Sequence, residues 1–266
     1  MTSIAAPAAP EHLKACCADM WSHPGVRLLC GETLRPGGAE LTLHALNVLG
    51  LEEGARVLDI GSGPGATLDL LARRGLRPIG ADYSASLAAE SVAVAPSVIA
   101  DAERAPFRSG AMDAAFMECV LSAVPDKAGA LAEVARVLRA GGSLALSDVA
   151  VEGVLPDALD SFAGWIACAA GALPASGYVG LLEAAGFVVE VAEDHRSAMA
   201  DLLAQVARRL ALIRGAIRAG LVDVASVGLD GSLLDVGERL LATANEAVGD
   251  GLLGYGLFIA RIPVRS

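Results

Sequence analysis

Short runs of apolar residues alternate along the chain with longer stretches whose apolar positions recur every three or four residues. The run Arg56-Val57-Leu58-Asp59-Ile60 reads as a buried strand, and residues 66–74 follow with helical spacing. Strands are expected again at 77–82, 97–100, 114–120, 143–149, 188–191 and 253–262. Helices are expected at 40–49, 84–94, 126–140 and 177–185, the third capped by Gly141-Gly142. Strands alternating with helices define a mostly parallel sheet covered on both faces. The expected fold is therefore α/β, a doubly wound seven-stranded sheet whose last strand runs antiparallel.

The chain divides into three parts on this pattern. Residues 1–50 form an N-terminal cap, with an Ala/Pro-rich start that is expected to be disordered and a short helix over 11–21. Residues 30–38 are polar and rich in turn formers, a loop that either closes over a ligand or simply connects. Residues 51–194 together with 254–266 carry the sheet. Residues 195–253 place about sixty residues before the last strand, with Met199, Leu202, Leu203, Val206, Leu210, Ile213 and Ile217 on one helical face. This helical insertion is read as a lid or a dimer surface. Its arginines Arg208, Arg209, Arg214 and Arg218 lie off that face and are expected in solvent.

The first strand ends on Gly61-Ser62-Gly63-Pro64-Gly65 and feeds a helix. Glycines at alternate positions turn the backbone tightly and expose N–H groups to a ligand where a Cβ would collide. The Gly-x-Gly-x-Gly spacing differs from the Gly-x-Gly-x-x-Gly of dinucleotide enzymes. Asp82 ends the second strand 23 positions after Asp59, near the roughly 20-residue interval of an acid that grips a ribose diol. A helix-capping aspartate is the alternative. Asp101 ends the third strand, as an adenine acceptor or as a plain loop acid.

Preceded by Asp59, the glycine turn resembles the first motif of S-adenosylmethionine-dependent methyltransferases. Residues 105–113, with Pro106-Phe107 and then Asp113, resemble the segment that precedes the fourth strand in that superfamily. Strand order, strand-end acids and glycines together resemble the class I, Rossmann-like methyltransferase fold over about residues 50–195 and the last dozen. The resemblance implies S-adenosyl-L-methionine as cofactor. It also implies a binding set of Asp59, Gly61, Ser62, Gly63, Gly65, Asp82, Tyr83, Asp101, Ala102 and Glu118.

A closer resemblance lies at the fourth strand. Glu118-Cys119-Val120-Leu121-Ser122-Ala123-Val124-Pro125-Asp126-Lys127 is similar to the Asn-Cys-Val-(Ile/Leu)-Asn-Leu-Val-Pro-Asp-Lys segment of arsenite methyltransferases, and Cys168-Ala169-Ala170-Gly171-Ala172-Leu173 to their Cys-x-x-Gly-Ala-Leu. In that family both cysteines hold arsenic. The resemblance implies Cys119 and Cys168 as acceptor ligands, with Cys30, Cys16 or Cys17 completing a trio. Trivalent arsenic is soft, and three thiolates would hold it with its lone pair toward the methyl group. Glu118 and Ser122 stand where that family has asparagines.

Composition narrows the alternatives. Hydrophobic residues make up 54% and aromatics 4%, so the core must be built from Ala, Leu and Val, which suits helices on a parallel sheet. The net charge of −11 argues against a nucleic-acid partner. No stretch reads as a membrane span or secretory leader. Five cysteines, an odd number, suit a reducing cytoplasm. His12, His23, His44 and His195 show no metal-ligand spacing, so no metal site is expected; His23 and His44 are the candidate bases for a hydroxyl or amine acceptor. The expected partner is a small-molecule methyl acceptor, with a homodimer possible. The competing readings are O-, N- or C-methylation of an organic metabolite, in which the cysteines only pack, and a non-catalytic cofactor-binding module.

Overall fold

The structure, a computed structural model, describes residues 14, 21–31, 35–160, 168–221 and 231–264. Seven strands form one sheet in the order β3-β2-β1-β4-β5-β7-β6. They are β1 (Arg56–Ile60), β2 (Arg77–Asp82), β3 (Ser97–Ile99), β4 (Met112–Glu118), β5 (Leu138–Val151), β6 (Val188–Asp194) and β7 (Leu253–Arg261). Strands β1 to β5 pair in parallel, and β7 runs antiparallel between β5 and β6. The strand order reverses between β1 and β4. That switch point opens a crevice outside the carboxyl ends of the strands, where doubly wound proteins bind their ligands.

β1 is buried from Val57 to Ile60 because helices cover both of its faces. Alternate residues serve opposite layers. Val57 and Phe116 meet Leu41, Ala45, Leu46 and Leu49 of α2 (Gly38–Leu49), which follows the short α1 (Pro24–Cys30). α3 (Ala66–Arg73), opened by the glycine turn, sends Leu71 into the same layer. Leu58, Met117 and Leu146 face the other way. There they meet Leu131 and Val134 of α5 (Lys127–Val137) and Tyr178 and Leu182 of α6 (Ala175–Ala184); α4 (Ala85–Ser91) leads from β2 toward β3. Each such side chain contributes about 1.5–3 kcal/mol by leaving water. Between β6 and β7 the chain forms α7 (Arg196–Arg218) and α8 (Gly231–Gly249), and Met199, Ala244 and Ala247 seal the layer over Tyr255 and Leu257.

Several boundaries differ from the sequence expectation for physical reasons. The helix expected to reach residue 140 ends at Val137, because Leu138 already pairs with Met112 and Gly141 turns inside the strand with φ 73°. β4 stops at Glu118, one residue before Cys119. Two of the insertion's arginines are engaged and not simply solvated. Arg209 Nη1 donates to the Leu29 carbonyl at 3.1 Å, and Arg214 pairs with Asp235 at 2.6 Å. His23 caps α1, its Nδ1 accepting from Gly25 N–H at 3.1 Å, so its ring is committed to the backbone. Apart from Lys14 and Trp21, the helix expected over 11–21 lies outside the described residues, as do Cys16, Cys17 and His12. Among the described residues, no helix is long and apolar enough to cross a membrane.

Candidate cofactor cradle and acceptor site

The glycine turn is clasped to the end of β2. Gly61 and Ser62 N–H donate to the Ala81 carbonyl at 2.7 and 3.2 Å. Gly63 N–H donates to Asp82 Oδ2 and Ser84 N–H to Asp82 Oδ1, both at 2.8 Å. Asp82 is therefore no helix cap; Ser84 caps α4 and Asp82 ties the two loops together. Burial raises its carboxyl above the ordinary value, against the two N–H bonds.

The three glycines differ in what they do. All have positive φ: 71° at Gly61, 53° at Gly63 and 99° at Gly65. A Cβ on Gly61 would collide with Val120 Cγ2, whereas one on Gly63 would project into open space with nothing within 4 Å. That space belongs to a cavity at the switch point, walled by the turn, Asp82, Tyr83, Asp101, Ala102, Glu118 and Cys119. Gly65 lies behind it, 3.2–3.4 Å in Cβ terms from Val94 and Ser91, and serves packing and not the cavity. Asp59 is likewise not in the wall. It is 2% exposed beneath the turn, and its Oδ2 has no hydrogen-bond partner. Burial, then Glu118, pushes its carboxyl well above the ordinary value against the pull of Arg35. Asp59 thus acts as a buried prop below the cradle.

Glu118 reaches the cavity from β4 and is held on two sides. Its Oε1 accepts from Thr42 Oγ1 at 2.7 Å and its Oε2 from Thr67 Oγ1 at 2.6 Å. Arg35 Nη2 sits 3.2 Å from Oε2 and also donates to Thr42. A carboxylate taken from water needs such a set of donors and a counter-charge. Arg35, Thr42 and Thr67 were not legible as a site, since they lie on separate segments. Lys14 was missed too: its Nζ bonds both oxygens of Asp101, at 3.0 and 2.8 Å, and lies 2.6 Å from Glu103.

Cys119 and Cys168 come together at the wall of this cavity. Cys119 lines it directly, and Cys168 lies behind, 3% exposed, with Sγ 4.0 Å from the Cys119 carbonyl oxygen. Tyr255 OH lies 3.2 Å from Cys119 Sγ and 3.1 Å from Ser147 Oγ. Burial, with Cys168 and Asp148 nearby, raises the Cys119 thiol well above its usual range, against the Tyr255 hydrogen bond. Below, fully buried Asp148 accepts from Ser122 N–H at 2.8 Å and Ser122 Oγ at 2.6 Å, which fixes the loop carrying Cys119. Cys30 ends α1, and its side chain lies outside the described residues. His44 and His195, distant in sequence and expected not to cluster, do lie together, around Glu193 and not in this cavity.

Residues 58–146 match the family described as Methyltransferase domain. Demethylmenaquinone methyltransferase of Beutenbergia cavernae is 35% identical over 106 residues, covering 39% of this chain and 44% of the relative. Arsenite methyltransferase of Halobacterium salinarum is 32% identical over 180 residues, covering 60% of this chain and 45% of the relative. The chain thus matches less than half the length of these curated relatives. Among solved structures, phosphoethanolamine N-methyltransferase 2 of Haemonchus contortus in complex with S-adenosyl-L-methionine superposes with a TM-score of 0.76 at 18% identity, covering 94% of this chain and 60% of that one, a likeness of fold. The domain match spans β1 to β5, the part of the sheet that carries the glycine cradle. Over these residues the chain is similar to S-adenosylmethionine-dependent methyltransferases. The cradle fits S-adenosylmethionine on its own geometry: an open space that a Cβ on Gly63 would enter, with Asp82 and Asp101 in its wall.

Proposed function

We propose that the protein transfers the methyl group of S-adenosylmethionine to a small thiophilic acceptor, arsenite or another metalloid, a thiol or a selenol, held at Cys119 and Cys168. The observation that supports this reading is their meeting at the carboxyl edge, one lining the cavity and the other directly behind it. Bound S-adenosylmethionine supplies an already activated sulfonium methyl, so positioning does most of the catalytic work. Asp82, the glycine turn and Asp101 would hold it, and Glu118 would present a fixed negative group on the same wall. The raised thiol of Cys119 suits an acceptor that arrives as a hydroxide. Each thiol displaces one hydroxide from the metalloid, and its proton leaves with that hydroxide as water.

Methylation of a small organic acceptor is the second reading. It is favoured by the hydrogen bond between the Cys119 thiol and the Tyr255 hydroxyl, and by the packing of Cys168 in the apolar layer. A panel of acceptors incubated with the purified protein, labelled cofactor and a thiol reductant separates the two. Methylated arsenic or a methylated thiol as the main product supports the first reading. Label found only in an organic hydroxyl, amine or carbon acceptor replaces it with the second.

A further inference from the structure

We propose that His44, Glu193 and His195 form a binding site for a divalent transition-metal ion of the zinc class. The two imidazoles converge on one atom: His44 Nε2 and His195 Nε2 each lie 2.8 Å from Glu193 Oε2. The three donor atoms lie within 4.8 Å of one another, and the rings tilt by 57° with centroids 5.9 Å apart. The rings therefore do not stack; their edges point at a common spot. A carboxylate oxygen can accept from two rings, but such exposed pairs stabilise little by themselves.

The backbone holds this spot in place. Glu193 pairs with Leu257 in the β6–β7 ladder, and His195 N–H donates to the Tyr255 carbonyl at 2.7 Å as the chain turns into α7. His44 comes from α2, 149 residues from Glu193. Two imidazoles and one carboxylate make a donor set for Zn²⁺, Co²⁺ or Ni²⁺, whereas Mg²⁺ and Ca²⁺ prefer all-oxygen sites. A second cavity, walled by both histidines with Glu40, Asp201 and Gln205, opens beside the cluster and leaves room for a water or a further ligand. The ion would replace the two hydrogen bonds, each neutral ring shifting to the tautomer that carries its proton on Nδ1 and leaves Nε2 free to coordinate, and would staple α2 to the β6–α7 corner. The same helix α2 carries Thr42, which holds Glu118 at the cofactor cavity.

The site is tested by titrating the full-length, metal-stripped protein with Co²⁺ and with Zn²⁺. One equivalent of Co²⁺ should bind with visible ligand-field absorption and no thiolate charge-transfer band, and one equivalent of Zn²⁺ should raise Tm. Glu193→Gln, and separately the double variant H44A/H195A, should lose both the equivalent and the Tm rise. C119S/C168S should retain them. Because Glu193→Gln keeps the size of the side chain, it stays informative if the double variant fails to fold. A thiolate band that disappears in C119S/C168S would put the ion on the cysteines and overturn the assignment. So would an absence of binding, or binding unchanged in Glu193→Gln.

Discussion

Cys168 Sγ lies 4.0 Å from the carbonyl oxygen of Cys119, although 49 residues separate the two in sequence. Among the described residues they are also the two non-glycine positions with positive φ, 57° at Cys119 and 63° at Cys168. A β-carbon in that region costs roughly 1–2 kcal/mol, and such strain collects at functional sites. The two strained cysteines stand next to each other at the carboxyl edge, where the fold binds ligands.

That strain makes a stability prediction. Glycine normally destabilises an element relative to alanine by about 0.5–1 kcal/mol. At a position of positive φ the order should reverse, so Cys168→Gly should be more stable than Cys168→Ala by about 1 kcal/mol. Urea denaturation of the two variants measures it. Alanine matching or exceeding glycine would mean that the backbone at residue 168 is not left-handed in solution.

The cradle makes a binding prediction. Asp82→Ala removes a carboxylate that accepts from Gly63 and Ser84 and faces the cavity. Cofactor affinity should fall by one to two decades, the equivalent of roughly 1.5–3 kcal/mol for charge-assisted bonds. Gly63→Val should weaken binding further, since its side chain would occupy the open space beside the turn. Calorimetry with S-adenosylhomocysteine reads both variants. Unchanged affinity in either would move the cofactor out of this cavity.

Asp59 makes a prediction in pH. Its folded-state pKa lies above the ordinary value of 3.8, first because it is buried and then because Glu118 is near. The folded protein therefore holds this proton more tightly than the unfolded chain. The contribution is fully present below pH 3.8 and is lost as pH rises through the folded value. Asp59→Asn, neutral throughout, should match the parent at acid pH. It should then gain relative stability by up to about 1.4 kcal/mol per pH unit until the folded value is passed. Denaturation curves between pH 4 and pH 8 test this. A constant difference across that range would show an ordinary pKa at this carboxyl.

The fold was legible because its signals are local. Apolar runs such as Val57 to Ile60, glycines with a turn to make and acids at strand ends are read one segment at a time. Motif similarity placed Cys119 and Cys168 together, since composition and spacing say nothing across 49 positions. What stayed hidden depends on contacts between distant segments. Arg35, Thr42 and Thr67 converge on Glu118 from three places, and Lys14 reaches Asp101 from the N-terminal segment. His44 and His195 looked unrelated because only the packing of α2 against the β6–α7 corner joins them at Glu193. Gly65 and Asp59 show the converse limit: both belong to the cradle's motif, yet one packs and the other props, and neither lines the cavity.

The most direct test compares arsenite methylation by the parent protein with that by Cys119→Ser and Cys168→Ser, alongside S-adenosylhomocysteine affinity for all three. Serine keeps the shape of the side chain but is too hard a donor to hold a soft centre. The expected result is loss of methylated arsenic in both variants, by at least two decades, with cofactor affinity unchanged within a factor of about three. Methylation that survives in Cys168→Ser, or that is absent from the parent while an organic acceptor is methylated, would contradict the cysteine site.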